Sequence, residues 1–359
     1  MKRNKTATEP KPKGKKTSYP TRNWKEYNTA LINRGRVTLW INPEVAAAWK
    51  AQSDGLPHKQ KVYSDLAIQT VLTLKVLFKL PFRAAQGLAM DLIDLLKLEL
   101  PCPNYSTLSR RAKTLKIDLG VRKTGEPIHL LVDSTGVKVA GEGEWKTRKW
   151  KAEYRRTWIK LHLGLDRNSG QIMAAVVTDA SGGDPDHFPE ILDAVEADIE
   201  KVGADGIYDS IDNFRRIAER GAIPIIPARI GANIRPEPEA AARNLVVTEM
   251  ERLWDDETHD ARWKVESGYH ARSRIESEMF RYKQVIGDSV STKNLASQTV
   301  EVLLGCRILN RFLELGRCDS YAVVSPSNLV RTFAWKFQSG VLFFNEQEAV
   351  HRILDCHAK

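Results

Sequence analysis

Apolar positions change period twice along this chain. From Trp24 to Lys116 they recur at helical spacing, from Ile128 to Val177 they alternate, and beyond His187 the two patterns interleave. The first stretch predicts a short amphipathic helix at Trp24–Gly35, a brief strand at Arg36–Ile41 and a buried helix at Ser64–Phe78 capped by Ser64. A second helix, Phe82–Leu98, ends before Pro101 and Pro103. A short basic helix, Asn104–Lys116, carries Arg110, Arg111, Lys113 and Lys116. The middle stretch predicts a strand, Ile128–Val132, ending at Asp133, and a second short strand, Val137–Ala140. A hairpin of Trp158–Leu165 and Ile172–Val177 follows, turning at 168–170. Then come a helix, His187–Val202, crossing back over the sheet, a short segment bearing Asp205, a helix Ser210–Arg220 and a strand Ala222–Ile226. Residues 232–267 read as a polar, irregular insertion with little core. Two helices, Tyr269–Lys283 and 297–316, close the pattern.

Strand hairpins followed by alternating helix and strand predict an α/β sheet with an antiparallel part. The division that follows is a basic arm over 1–23, a mostly helical DNA-binding domain over 24–118, an α/β domain over 119–316 and an extension over 317–359. Helix, proline-rich turn and short basic helix also fit a helix-turn-helix, or a helical bundle with one basic face.

Composition narrows the function. At 359 residues, 42% hydrophobic and 28% charged, the chain can bury a substantial core. A formal net charge of +10 favours a polyanionic partner, nucleic acid ahead of a membrane surface. No run is long and apolar enough to span a bilayer. The four cysteines are scattered without a Cys-x-x-Cys pair, which suggests a reducing compartment and no zinc module. Between the strands, 144–160 interleaves Lys149, Arg155 and Arg156 with Trp145, Trp150 and Tyr154, a mixture suited to stacking on bases while holding phosphates.

Candidate chemistry gathers on three carboxylates. Asp133 ends the first strand, Asp205 follows the first crossover, and Glu276 lies on a later helix. On that helix Tyr269, Arg272, Glu276 and Lys283 share an arc of about 60° beside an apolar stripe. Three acids at one point repel unless a cation neutralises them, and hard oxygen ligands suit Mg²⁺ or Mn²⁺. Asp209 competes with Asp205 within the same motif.

Together these motifs resemble a bacterial insertion-sequence DDE transposase, in the insertion-sequence-five branch marked by Tyr-x2-Arg-x3-Glu-x6-Lys. Tyr269, Arg272, Glu276 and Lys283 match its spacing, and Asp133 in LLVDSTGVKV and Asp205 in DGIYD match the aspartate motifs. The similarity covers about residues 24–316 and extends to TLSRRAKTL and PARIGA, where Ile230 stands in place of an expected basic residue. It implies an RNase H-like catalytic fold using Mg²⁺, with Mn²⁺ able to substitute. Asp133, Asp205 and Glu276 would be metal ligands. Tyr269, Arg272 and Lys283 would position the DNA end, helped by Arg110, Arg111, Lys149, Arg155 and Arg156. The implied partners are the double-stranded DNA of element ends and target, and a second copy of the chain in a homodimer. The implied setting is the bacterial cytoplasm, at the nucleoid. Three alternatives remain at this level: a domesticated DNA-binding protein without cutting activity, a nuclease or resolvase acting on branched DNA, and a basic interaction protein.

Overall fold

The computed structural model describes residues 19–52, 62–123, 125–139, 158–229, 231–255 and 259–321. It divides into two units, one drawn from the chain's two ends (1–30 and 316–359) and one spanning 31–315. In the first, Thr21 bridges to Ser320, and the Asn23 amide donates to the Arg317 carbonyl at 2.9 Å.

The second unit begins with helices. After α1 (Trp24–Arg34), which starts in the first unit, come a 3₁₀ turn at Val37–Leu39, α2 (Pro43–Ala47), α3 (Asp65–Leu77), α4 (Phe82–Leu95) and α5 (Tyr105–Arg111). The Ser64 hydroxyl accepts the Ala67 N–H at 3.0 Å and Asn104 accepts that of Ser106 at 2.9 Å, so α3 and α5 start at capping residues. The expected strand at Arg36–Ile41 is that 3₁₀ turn. Its β-branched run finds no partner strand, and Leu39 and Trp40 pack instead into the helical core. That core joins Trp49, Ile68, Val71, Leu108 and Ala112 to Leu304, Ile308 and Phe312 of the long helix α11 (Leu295–Leu315).

Among the described residues, six strands form one mixed sheet: β1 (Ile128–Val139), β2 (Trp158–Asp166), β3 (Ile172–Asp179), β4 (Ile199–Gly203), β5 (Ile223–Ile225) and β6 (Ser289–Val290). The order is β3-β2-β1-β4-β5, with β6 beside the end of β1. Strands β1 to β3 are antiparallel, and β4 and β5 run parallel to β1, the RNase H-like arrangement. One edge is β5, three residues long with Pro224 at its centre.

Two sequence expectations change here. Residues 128–139 make one strand rather than two, because Ser134–Val137 stay paired with Leu161, His162 and their neighbours on β2; Asp133 is therefore mid-strand. The expected helix His187–Val202 is only α6 (Phe188–Asp193), followed by β4. Phe188, Ile191, Leu192, Val195, Ile199 and Val202 are all buried and fit a helical period, yet the Asp198 carbonyl accepts the Ile128 N–H at 2.8 Å and draws the second half into the sheet.

Helix α7 (Ile211–Glu219) starts at Ser210, whose hydroxyl accepts the Asn213 N–H. Residues 232–267, expected to be irregular, hold α8 (Ala241–Arg252) and α9 (Ala261–Glu266). Val246, Leu253 and Trp263 join the core on one face of the sheet. The other face is covered by α10 (Ser273–Val285), through Ile275, Met279 and Tyr282, and by α11. A Cβ on Gly305 of α11 would stand 2.8 Å from the Tyr282 ring, so only glycine admits α10 this closely.

Candidate active site

Alternation along β1 turns Asp133 toward the face that α10 covers. On β4, Gly203 pairs with Leu131, so Asp205 lies as far beyond that pairing as Asp133 does on the neighbouring strand. Asp205 opens a 3₁₀ turn at Gly206–Tyr208, accepting the Gly206 N–H at 2.6 Å. A Cβ on Gly206 would meet the Pro227 carbonyl oxygen at 3.2 Å, so the glycine lets this loop close over the end of β5.

The third acid arrives from the opposite direction. Gly268, at φ 75°, reverses the chain after α9. Residues Tyr269–Arg272 then form a 3₁₀ turn before α10, where the sequence predicts one continuous helix. In a 3₁₀ turn residues three apart eclipse, and the Arg272 guanidinium sits 5.8 Å from the Tyr269 ring centre. One turn on, Glu276 accepts from Arg272 Nη2 at 2.6 Å, while Arg272 Nη1 donates to Asp133 Oδ2 at 3.0 Å. Arg272 thus joins an acid of the sheet to an acid of the helix. Its side chain and that of Asp133 are about one-fifth exposed, and that of Glu276 is half exposed.

The electrostatics reflect this crowding. Burial raises the Asp133 carboxyl above the usual carboxylate range. The Ser134 N–H and Arg272 pull it back, and the charges of Asp205 and Glu276 push it further up. Burial works against the Arg272 charge, but Tyr269, Asp133, Asp205 and Glu276 outweigh it and hold the guanidinium above its ordinary value. Burial also raises the Tyr269 phenol.

Asp209, the competitor of Asp205, is buried and fully engaged. Arg243 of α8 donates to both of its oxygens, at 2.6 and 3.1 Å, and the Arg229 N–H adds a bond at 3.0 Å. The segment read as an insertion therefore supplies the cation that fastens this loop. No sequence signal marked Arg243. Nor did any mark Asp184, the first residue of a 3₁₀ turn after β3 (Asp184–His187), which accepts from Lys160 Nζ at 2.8 Å. Burial opposes the Asp184 charge, yet Lys160 and the Ser134 hydroxyl hold its carboxyl below the usual range. The Tyr208 phenol is raised by burial and then by the charges of Asp133 and Asp184.

Of the sequence-predicted residues, the fold gathers Asp133, Asp205, Glu276, Arg272 and Tyr269. Lys283 lies about 10 Å further along α10 at 1.5 Å per residue, beside Asp288, which Lys138 also holds. Arg110 is exposed on α5. Arg111, expected on the DNA surface, is instead turned inward, bonded to Asp65 and to the Tyr63 carbonyl. Lys149, Arg155 and Arg156 lie outside the described residues, as do Ile230, the basic arm up to residue 18 and the extension from 322.

All three gathered carboxylates offer hard oxygen donors, the set a divalent cation prefers. Among the described residues, no three His, Cys, Asp or Glu side chains stand close enough as placed to enclose a metal ion. Here Arg272 takes one oxygen each of Asp133 and Glu276, supplying positive charge between them. No helix among the described residues is long and apolar enough to cross a membrane.

Residues 124–311, over half the chain, match a family profile described as a transposase DDE domain, and residues 32–142 match a second profile of the same description. Among solved structures, the chain is similar to the cryo-EM structure of a piggyBac transposase synaptic complex with hairpin DNA. The identity is 11%, covering 94% of this chain and 87% of that one, at a TM-score of 0.38, too slight a likeness to carry an argument.

Proposed function

The chain belongs to the DDE-domain transposases, metal-dependent DNA-cleaving enzymes, and from that premise we propose that it binds the terminal inverted repeats of an insertion sequence and catalyses both cleavage and strand transfer there. Asp133, Asp205 and Glu276 are the metal ligands in this reading, with Mg²⁺ the working ion and Mn²⁺ a substitute. The observation that carries it is that Arg272 bridges Asp133 of β1 to Glu276 of α10, with the charge of Asp205, beyond the end of β4, acting on the same guanidinium.

Bound divalent cations would supply charge to hold the attacking and leaving oxygens of a phosphodiester in line. The chain's own residues do the rest. Asp133, fixed in mid-strand, and Asp205, fixed at the start of its turn, set two donors on rigid backbone. Glu276 completes the set from the helix. Arg272 can pass from the carboxylates to a phosphate, since its fork suits either partner. Tyr269 keeps that guanidinium against its ring. Lys283, further along α10, suits a phosphate away from the cut. First, water attacks the phosphodiester at the element boundary, freeing the element's 3′-hydroxyl and leaving a 5′-phosphate on the flanking strand; then that hydroxyl attacks a target phosphodiester in the same site and expels the target's 3′-hydroxyl. No covalent protein intermediate is needed.

Two ends must be joined in concert, so a homodimer on duplex DNA is the working form, acting at the nucleoid in the bacterial cytoplasm. The test uses DNA flanking this reading frame that bears short inverted repeats. With Mg²⁺, the wild-type chain should nick at the repeat boundary, and Asp133→Ala should bind the same DNA without nicking. Cleavage by Asp133→Ala at the wild-type rate would refute the assignment.

A further inference from the structure

Away from these acids, the start of α4 and one side of α5 enclose a groove of about 640 Å³. Arg83, Arg110 and Lys113 line it with Tyr105, Ser106 and Ser109, and no acidic side chain is among the described residues that line it. The three cations are exposed, and none makes an ion pair among the described residues. Arg111, between Arg110 and Lys113 in sequence, turns inward to Asp65. Consecutive basic residues are thus sorted into one that holds the helices together and two that face the groove.

The groove is also held in shape. Gln86 of α4 accepts the Tyr105 N–H at 2.8 Å, fixing the start of α5 against α4. The Arg83 guanidinium lies 4.5 Å from the Tyr105 ring centre. Stacking occupies the face of the guanidinium and leaves its N–H edges free for an anion. Two serine hydroxyls add neutral donors. Unopposed positive charge, hydroxyls and a pre-set arginine suit phosphate oxygens, and among the described lining no Asn, Gln or acid is placed to read adenine or cytosine edges.

We propose that this groove clamps the phosphate backbone of duplex DNA, independently of sequence, so that α5 positions the duplex and does not read it. The inference rests on the reading of the chain as a DNA-end-binding transposase and assigns the grip to Arg83, Arg110 and Lys113. Each phosphate neutralised contributes about 0.9 to the slope of log affinity against log salt. The experiment is fluorescence anisotropy of full-length chain on an end-containing duplex and on a scrambled one, over about 50–200 mM salt. Replacing the three cations by Gln should make the slope shallower by about 2.7 on both duplexes, leaving the ratio of the two affinities unchanged. Lys113→Gln alone should remove about 0.9, which keeps the test open should the triple variant fail to fold. An unchanged slope would overturn the proposal, and so would a loss confined to the end-containing duplex, which indicates base reading. Nicking by the wild-type chain separates the two readings. If it nicks and the slope persists in the variants, only the groove is wrong; if it neither nicks nor binds, the functional reading falls and the groove with it.

Discussion

Replacing Arg272 by Gln removes the two charge-assisted hydrogen bonds that join Asp133 to Glu276. They differ in weight. The bond to Asp133 lies between side chains about one-fifth exposed, where a hydrogen bond to a charged group contributes about 1.5–3 kcal/mol. Glu276 is half exposed and one helical turn away, so its share is about 0.3–0.5 kcal/mol after solvent screening. Without metal the variant should therefore lose about 2 kcal/mol of stability. The same bonds compete with a bound cation for the carboxylate oxygens. Their removal should strengthen Mn²⁺ binding by up to about thirtyfold, since 1.4 kcal/mol is a factor of ten. Cleavage should nonetheless fall, because the phosphate-facing guanidinium is gone. Urea unfolding with and without Mn²⁺, calorimetric Mn²⁺ titration and nicking of end-containing DNA read the three quantities. Weaker Mn²⁺ binding in Arg272→Gln would refute the reasoning, for it would mean that Arg272 builds the ligand set and does not occupy it.

Asp205→Asn and Asp209→Asn should part company. The first should abolish nicking with little change in stability. The second leaves Arg243 buried beside a neutral partner and should cost about 3–5 kcal/mol in urea unfolding; the reverse pattern would make Asp209 the ligand. Asp133, raised in the fold, binds its proton more tightly folded than unfolded, so its charged form opposes folding at neutral pH and that cost disappears as pH falls through its folded pKa. Denaturant midpoints of the metal-free chain, wild type against Asp133→Asn, should show that relief as pH falls. His129 and His162 are both pushed down to about 4, chiefly by burial, with Arg167 and Lys201 adding for the first and His187 for the second. The unfolded chain takes up these protons near pH 6.5 and the folded chain does not, so stability should fall between pH 6.5 and 4, by up to about 3 kcal/mol for each histidine. Denaturant midpoints at pH 7 and 5 should show the loss, and His162→Gln should flatten it by roughly half.

Much of the scaffold was legible in the sequence because local chemistry and tertiary packing agree there. Ser64 caps the helix it was expected to cap, the Trp158 and Ile172 strands pair as a hairpin, and the spacing from Tyr269 to Glu276 places Arg272 beside its acid. The failures have physical causes. Residues 195–202 satisfy a helical period, and only pairing with β1 and β5 selects a strand. Segment 232–267 looked polar because its buried residues are few and spread along two short helices. One of its charges, Arg243, is buried, and a buried arginine carries no mark in a single sequence. Asp184 and the Arg83 groove escaped notice because each depends on residues distant in sequence.

The brevity of β5 has a consequence for handling the purified protein. An outer strand normally offers a row of free N–H and C=O groups to any passing chain. With three residues and Pro224 at the centre, this margin has little to offer, although Ile223 stands half exposed. Concentrated samples should resist fibrillar self-association through that side, and Pro224→Val should make them prone to it.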